Sequence, residues 1–338
     1  MSERDRAVLF LRAQTSLHPG TGASVGAIDL PIQRERHTGW PMIQSSSLKG
    51  VLRDLYRWKL VREGTCQTLE GADKHPEVVE TFGPPARERD EHYAGALTVS
   101  DARILAFPGR SGKGIFAWAT CPAVLGRLAR DLAVIGAQGP GTPQTADGEA
   151  VGCTGAADLI GVRVGDNDIR VLLEDMAPKL TSENGNNADK VAKWVFAGAR
   201  AAGRPPGDDD RKRLVILGDN DFSYLVRHTT EIVQRIKLDP KTKTVEGRAL
   251  FTQELLPAET IMYSLLLAET PRRPQAEQEN ERQSKQPAFA DAGQVMQKLK
   301  ARCAGGLLQI GADETTGKGW CWANVVRPEE LGNGEAQR

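Results

Sequence analysis

The chain has 338 residues, enough for a large hydrophobic core in one or two domains. Lysine plus arginine and aspartate plus glutamate each number 44, so the net charge carries no overall signature of a nucleic-acid-binding protein. The 5 cysteines include no C-x-x-C pair, which argues against a structural zinc site, and no segment approaches the ~18 apolar residues that span a bilayer.

Charge is distributed unevenly along the chain. Residues 29–62 contain seven Lys/Arg against three Asp/Glu, and residues 227–248 contain six against three. Such basic patches fit a nucleic-acid groove and fit a solvated surface equally well. The N-terminal residues do not resemble a signal peptide, so we expect a cytoplasmic protein with reduced thiols and no membrane contact.

The first part of the chain predicts an irregular mixture of strands and helices. The predicted elements are a strand over 7–15, a helix over 47–61, strands over 96–107 and 116–120, and an amphipathic helix over 122–135. Residues 17–44 are too rich in glycine, proline and charge for one regular element. The polar, proline-broken segment 63–95 indicates an insertion.

The remainder of the chain continues in the same mixed pattern. The predicted elements are a loop over 137–157, a strand over 170–173, a helix over 188–202, a buried strand over 214–217, a hairpin of 232–238 and 248–251, a strand over 261–267 and a helix over 290–303. Three aspartates at 208–210, in a predicted turn over 203–212, suggest a metal site, but we favour a solvated turn. Residues 271–286 have the composition of a disordered loop. Without regular βαβ spacing, the pattern predicts an α+β fold.

The most informative motif is the stretch SSSLKGVLR at residues 45–53. It combines hydroxyls, cations and a glycine at the start of a predicted helix: Ser45, Ser46, Ser47, Lys49, Gly50 and Arg53. The serines are favourable N-cap residues, and the cations recur every four residues along one side of the helix. Because a helix N-terminus presents unpaired N–H groups, this arrangement suits a phosphate chain. An ordinary amphipathic helix with a solvated basic face is the alternative.

A single carboxylate, Asp29, lies in the loop of residues 26–36, shortly before this helix. With RNA phosphates nearby, Asp29 could hold Mg²⁺ or accept the proton of a 2′-hydroxyl. Alternatively, it pairs with a neighbouring arginine such as Arg34 and braces the loop. His18 is a second candidate acid or base, with a structural loop histidine as its alternative.

Glycines dominate a second candidate segment, residues 305–320. Its Thr-Thr-Gly-Lys-Gly grouping, which contains Gly317 and Lys318, favours phosphate contact, although glycine loops are often simple turns. A P-loop is excluded at 109–114 because the glycine spacing is short and no Ser/Thr follows the lysine.

Taken together, these segments resemble the repeated backbone subunit of type III-B CRISPR (Cmr) effector complexes, in the RAMP superfamily. The matching stretches are His18 to Gly22, Ile28 to Glu35, Ser45 to Arg53, Val99 to Phe107, Phe116 to Pro122, Gly247 to Pro257 and 305–320. The resemblance implies one domain over 1–338 with a modified ferredoxin-like, or RNA-recognition-motif, core. Its insertions would be a lid-like segment at 63–95, a thumb hairpin at 236–257 and a flexible loop at 271–289.

The resemblance also implies a function. Copies of the chain, together with other Cmr subunits, would form a helical filament along a CRISPR guide RNA and cleave complementary single-stranded target RNA at regular intervals. Cleavage would use a loop aspartate, here Asp29, and a divalent metal, Mg²⁺ or Mn²⁺. The serine-rich helix and the glycine-rich loop would grip the guide backbone, while Phe251 and Gln253 would belong to the thumb.

Two further functions stay open. The chain could be a purely structural guide-RNA-binding filament subunit. This function differs from that of a cleaving subunit only in whether the single aspartate Asp29 is catalytic. It could also be a guide-RNA-processing nuclease, which would need a general base such as His18.

Overall fold

The computed structural model describes residues 4–23, 26–85, 93–166, 168–181, 185–200, 207–239, 241–272 and 287–331. The strands are β1 (Asp5–Ala13), β2 (Met42–Ile43), β3 (Leu97–Val99), β4 (Ala102–Arg110), β5 (Phe116–Thr120), β6 (Glu149–Gly152), β7 (Gly161–Arg163), β8 (Ile169–Val171), β9 (Lys179–Thr181), β10 (Leu214–Leu217), β11 (Glu231–Leu238), β12 (Val245–Leu255), β13 (Ile261–Ala268), β14 (Leu307–Gln309) and β15 (Trp320–Val326). The helices are α1 (Ser45–Arg62), α2 (Leu69–Asp73), α3 (Pro76–Phe82), α4 (Pro122–Val134), α5 (Ala156–Leu159), α6 (Gly185–Gly198), α7 (Asp208–Lys212), α8 (Asp219–His228), α9 (Ala292–Cys303) and α10 (Pro328–Leu331), and a 3₁₀ turn covers Glu314–Thr316.

The core is an antiparallel sheet in the order β15-β1-β13-β4. In chain order these strands and their helices run β1-α1-β4 and then β13-α9-β15, which is the ferredoxin-like arrangement. The predicted α+β class with this core is therefore confirmed.

Strand β1 lies at the centre of this sheet and is buried on both faces. Helix α9 contacts one face of it. On the other, Phe10 meets Trp194 of α6 edge to face, with ring centroids 5.4 Å apart. Gly198 of α6 permits the close approach, because a β-carbon there would lie 2.4 Å from the Phe10 ring.

A long insertion between β4 and β13 extends the same sheet through β5, β10, β6, β9, β8 and β7. Strand β4 serves both halves, since it pairs with β13 along its first residues and with β5 along its last. The insertion also carries the two-stranded antiparallel hairpin β11–β12, which is longer than the predicted one. Its role as the predicted thumb (236–257) stays a prediction.

Several predicted boundaries differ from the structure. The strand expected over 96–107 is two strands, because Ser100 and Asp101 interrupt it with bonds to β13 and α1. Strand β4 continues past Pro108 to Arg110 by pairing with β5. The expected loop at 137–157 contains β6 and α5, and the expected turn at 203–212 contains α7.

The predicted insertions are described in part. Segment 63–85 contains α2 and α3, which pack against α1, while residues 86–92 lie outside the described part. Residues 273–286, the bulk of the predicted flexible loop, also lie outside it. Among the helices described, none is both long and apolar enough for a bilayer span.

Candidate functional site

A cleft of about 480 Å³ lies where three segments distant in sequence meet. These segments are the loop of residues 18–22, the base of the β11–β12 hairpin and residues 310–313, and the N-terminus of α1 closes one side. Its polar and aromatic lining consists of His18, Gln33, Ser47, Arg235, Phe251, Gln253 and Asp313. The structure thus brings together four predicted site residues and adds Arg235 and Asp313, which the sequence analysis missed.

Asp29 lies beside this cleft, next to its lining residue Leu30, and is exposed. Its Oδ2 accepts hydrogen bonds from the backbone N–H of Thr252 at 2.7 Å and from the Thr252 hydroxyl at 2.8 Å. These bonds lower the pKa of the Asp29 carboxyl below its ordinary value. Asp29 is therefore an ionised group fixed to the hairpin base, and it forms no ion pair with the arginines described nearby.

The second carboxylate oxygen of Asp29, Oδ1, accepts no hydrogen bond from the described residues and is a candidate metal ligand. No group of three or more His, Cys, Asp or Glu side chains that could hold a metal occurs in the described residues. Mg²⁺ commonly binds through one carboxylate plus substrate phosphates and water, so this donor set fits a metal that arrives with RNA.

His18 is buried, with 5% of its surface exposed, and its Nδ1 lies 2.6 Å from the backbone oxygen of Glu254. Because a carbonyl can only accept, Nδ1 carries the proton. In the neutral ring, Nε2 is then the acceptor, and it has no hydrogen-bond partner among the described residues. Gly20 leaves room for that edge of the ring, since a β-carbon there would lie 2.6 Å from Nε2.

Helix α1 begins differently from the prediction. Its N-cap is Gln44, without a side-chain cap, and the three serines form the first turn instead. The Ser45 N–H donates to Asp101 at 2.8 Å. The N–H groups of Ser46 and Ser47 have no hydrogen-bond partner in the described part of the chain, so this helix end retains donors for an anion.

Lys49 and Arg53, one turn apart on α1, have different environments. The Lys49 ammonium has no hydrogen-bond or ion-pair partner among residues that the structure describes, and burial together with the charge of Arg53 lowers its pKa. Arg53 instead binds Asp73 at 2.8 Å and the Gly83 carbonyl at 2.9 Å. Arg53 therefore holds α2 and α3 against α1, which the sequence pattern did not indicate.

Arg34 likewise has internal partners. Its guanidinium binds the Glu254 carboxylate at 2.5 Å and the carbonyls of Gly39 and Val226. Glu254 also accepts the N–H of Ile32 at 3.1 Å. Arg34 therefore fixes the Asp29 loop to β12, and its role as an RNA contact stays a prediction.

The glycine-rich loop is less open to phosphate than its sequence suggested. Several of its backbone N–H groups already donate to carbonyls of the protein. These donors belong to Ala312, Thr316, Gly317, Lys318 and Gly319. Gly317 has φ +77°, and a β-carbon there would meet nothing within 4 Å. The Lys318 side chain is half-buried, without a hydrogen-bond or ion-pair partner within the described ranges, and stays available.

Comparisons with known proteins agree with this architecture. The family model "RAMP superfamily" matches residues 10–322. The chain is 37% identical over 320 residues to the "CRISPR system Cmr endoribonuclease Cmr4" of Pyrococcus furiosus, covering 95% of each chain. It superposes on a crystal structure of oligomeric Cmr4 from that organism with a TM-score of 0.66 and 28% identity, covering 96% of this chain and 99% of the other. A type III-B Cmr-beta structure bound to cognate target RNA has the same fold, with a TM-score of 0.61, 21% identity and coverage of 96% and 98%. The chain belongs to the RAMP superfamily.

Proposed function

We propose that this protein is the guide-RNA-binding backbone subunit of a type III-B CRISPR ribonucleoprotein and that it cleaves complementary target RNA. One observation carries the proposal: an exposed, ionised aspartate, Asp29, is fixed by Thr252 to the base of a hairpin beside a cleft. The name of the Pyrococcus relative, an endoribonuclease of a Cmr system, supports the reaction class. The oligomeric crystal structure of a similar chain supports assembly with further copies, and the proposal adds other Cmr subunits to the same particle.

Asp29 and His18 have distinct chemical roles in this proposal. A carboxylate whose pKa is lowered is a poor proton acceptor and a good cation ligand, so Asp29 would hold Mg²⁺ or Mn²⁺ together with phosphate oxygens. When bound, the cation would neutralise the charge that develops on the cleaved phosphate. His18, with its Nε2 free to accept, is the group that can take a proton from a nucleophilic hydroxyl.

RNA binding in this proposal depends on the N-terminal part of α1. Ser46, Ser47 and Gly50 are exposed in the first turns of α1, where the two serine N–H groups have no partner among the described residues and a β-carbon at Gly50 would meet nothing. The half-buried Lys49 lies between them and has no ion-pair partner in the same part of the chain. Lys318 adds a second cation. Because base pairing with the guide would supply sequence choice, contacts to the sugar–phosphate backbone are sufficient.

We predict that Lys49→Ala weakens RNA binding uniformly across sequences and reduces the slope of log Kd against log salt by about one. The reason is that the Lys49 ammonium, which has no acidic partner among the described residues, pairs with an RNA phosphate and a counterion is released. Fluorescence anisotropy over a salt series measures both effects. Arg53→Ala is the matched control, since its charge is neutralised within the protein, and we expect it to lower stability while leaving the salt slope unchanged. A preference of the Lys49→Ala defect for particular bases would contradict the assignment.

We predict that Gly50→Ala has opposite effects on stability and on RNA binding. Alanine in a helix interior is favoured over glycine by about 0.5–1 kcal/mol, and a β-carbon at this exposed position meets nothing within 4 Å. The free chain should therefore be more stable to urea, while RNA loses the close approach to the helix and binds less tightly. If the variant is more stable but binds RNA with unchanged affinity, the RNA does not approach helix α1 at Gly50.

Cleavage of target RNA by assembled particles that carry a substitution only in this subunit is the experiment that tests the proposed function. The expected effect of replacing Asp29 is large, and its physical basis is given in the Discussion.

A further inference from the structure

The side-chain amide of Gln253 is fixed in one orientation at the cleft. Gln253 is only 2% exposed, and its Nε2 donates to Oδ2 of Asp313 at 2.7 Å. A carboxylate only accepts hydrogen bonds, so the amide nitrogen must face Asp313 and the amide oxygen must point away from it. That oxygen, Oε1, is shielded and has no hydrogen-bond partner among the described residues.

An unsatisfied buried acceptor costs free energy that a ligand can recover by supplying a donor. Gln253 lines the cleft, so a donor group that enters there lies beside the residue whose amide oxygen lacks a partner. The cleft as a whole is rich in acceptors, because Nε2 of His18 and the Asp313 carboxylate share it. Arg235 lies 2.9 Å from Asp313 and balances that carboxylate's charge.

Around Gln253 this lining favours a hydroxyl or amino donor over a phosphate, whereas the Ser47 N–H on the α1 side of the cleft, which has no partner among the described residues, suits an anion. The adjoining glycine-rich loop does not change that preference, since the N–H groups of Ala312 and Lys318 already bind protein carbonyls. The cleft volume of about 480 Å³ lies in the range of small-ligand sites and has room for a ribose together with its attached groups.

We infer that this cleft holds a ribose and that Oε1 of Gln253 accepts a hydrogen bond from its 2′-hydroxyl, which makes Gln253 a determinant of RNA-over-DNA specificity. The inference rests on the proposed function for the identity of the strand. Every ribonucleotide carries this donor and no deoxyribonucleotide does, whereas base donors vary with sequence. A subunit that accepts any guide sequence needs the invariant donor.

The test compares the affinities of the full chain for a single-stranded oligoribonucleotide and for DNA of the same sequence. One hydrogen bond to a neutral group corresponds to a preference of about 3- to 10-fold. Gln253→Leu should lower the RNA/DNA affinity ratio by that factor, mainly through weaker RNA binding. Thermal melting of each variant establishes that it is folded at the temperature of the assay.

Asp313→Asn supplies an independent variant that retains Gln253. The introduced amide can accept or donate, so the Gln253 amide is held less firmly in its orientation, and a fall in the ratio smaller than that of Gln253→Leu is expected. Asparagine also tolerates the positive φ of +68° at this position.

The outcomes separate the inference from the function on which it rests. Wild-type chain that binds RNA, combined with variants that keep the full RNA/DNA ratio, overturns the role of Gln253 and leaves the proposed function intact. If affinities for homopolymers depend on which base they contain and not on whether the sugar is ribose or deoxyribose, the cleft holds a base and the ribose assignment is wrong. Wild-type chain without affinity for RNA removes the proposed function and the inference together.

Discussion

Replacement of Asp29 by alanine should slow target cleavage by about 10²- to 10⁴-fold, the range for loss of one positioned catalytic group, in assembled particles. RNA binding and assembly should change little, because the exposed Asp29 side chain bonds, among the described residues, to Thr252 alone and takes no part in the core. The measurement is single-turnover cleavage of a labelled target, with RNA affinity determined on the same particles.

Asp29→Asn is the matched variant for this prediction. Its amide oxygen can still accept the N–H of Thr252, so the loop keeps its anchor while the negative charge is lost. We expect nearly the same loss of cleavage, which separates the role of the charge from the role of the loop.

The pH dependence follows from the pKa of Asp29. A folded-state pKa below the ordinary value keeps the carboxylate ionised until the pH falls below the usual carboxyl range. Titration of Asp29 should therefore not limit cleavage near neutral pH.

Full-rate cleavage by the alanine variant would instead identify a non-catalytic filament subunit, with the chemistry in a partner.

The sequence predicted those parts of the fold that local patterns determine. Strands β5 and β10 begin and end at the expected residues. Strand β10 is continuously apolar and lies between Arg213 and Gly218, while β5 is short and is followed closely by Pro122, where the next helix begins. Helix α4 begins at the predicted Pro122, a residue suited to the first turn. The break between β3 and β4 was not predictable in this way, because Asp101 leaves the strand to bind the first turn of α1.

The candidate site depended more on contacts distant in sequence. His18 and Gln253 were singled out by motif and resemblance, and the structure places both at one cleft. Thr252 gave no local signal, since its partner Asp29 lies 223 residues earlier in the chain. Asp313 lies in the glycine-rich loop that the sequence analysis had identified, yet only the hairpin opposite gives its carboxylate a role.

Glu254→Ala should lower the free energy of unfolding by about 3–5 kcal/mol, the cost of removing one partner from a buried ion pair. Glu254 is 3% exposed and accepts from Arg34, from the Thr230 hydroxyl at 2.8 Å and from the N–H of Ile32. Its loss leaves a largely buried guanidinium and two other donors without their acceptor. Urea unfolding of the isolated chain measures the effect.

Asp54→Ala is the control that isolates burial as the cause. The Asp54 side chain is 60% exposed and pairs with Arg57 at 2.6 Å, so its loss should cost about 0–1 kcal/mol. Glu254 also bonds the loop segment that follows Asp29 to β12, so Glu254→Ala should slow target cleavage as well, whereas Asp54→Ala should not. Equal stability losses in the two variants would mean that the Glu254 carboxylate does not hold the Asp29 loop against the hairpin. The positioning of Asp29 would then depend on Thr252 and on the backbone bonds of Leu30 to β12.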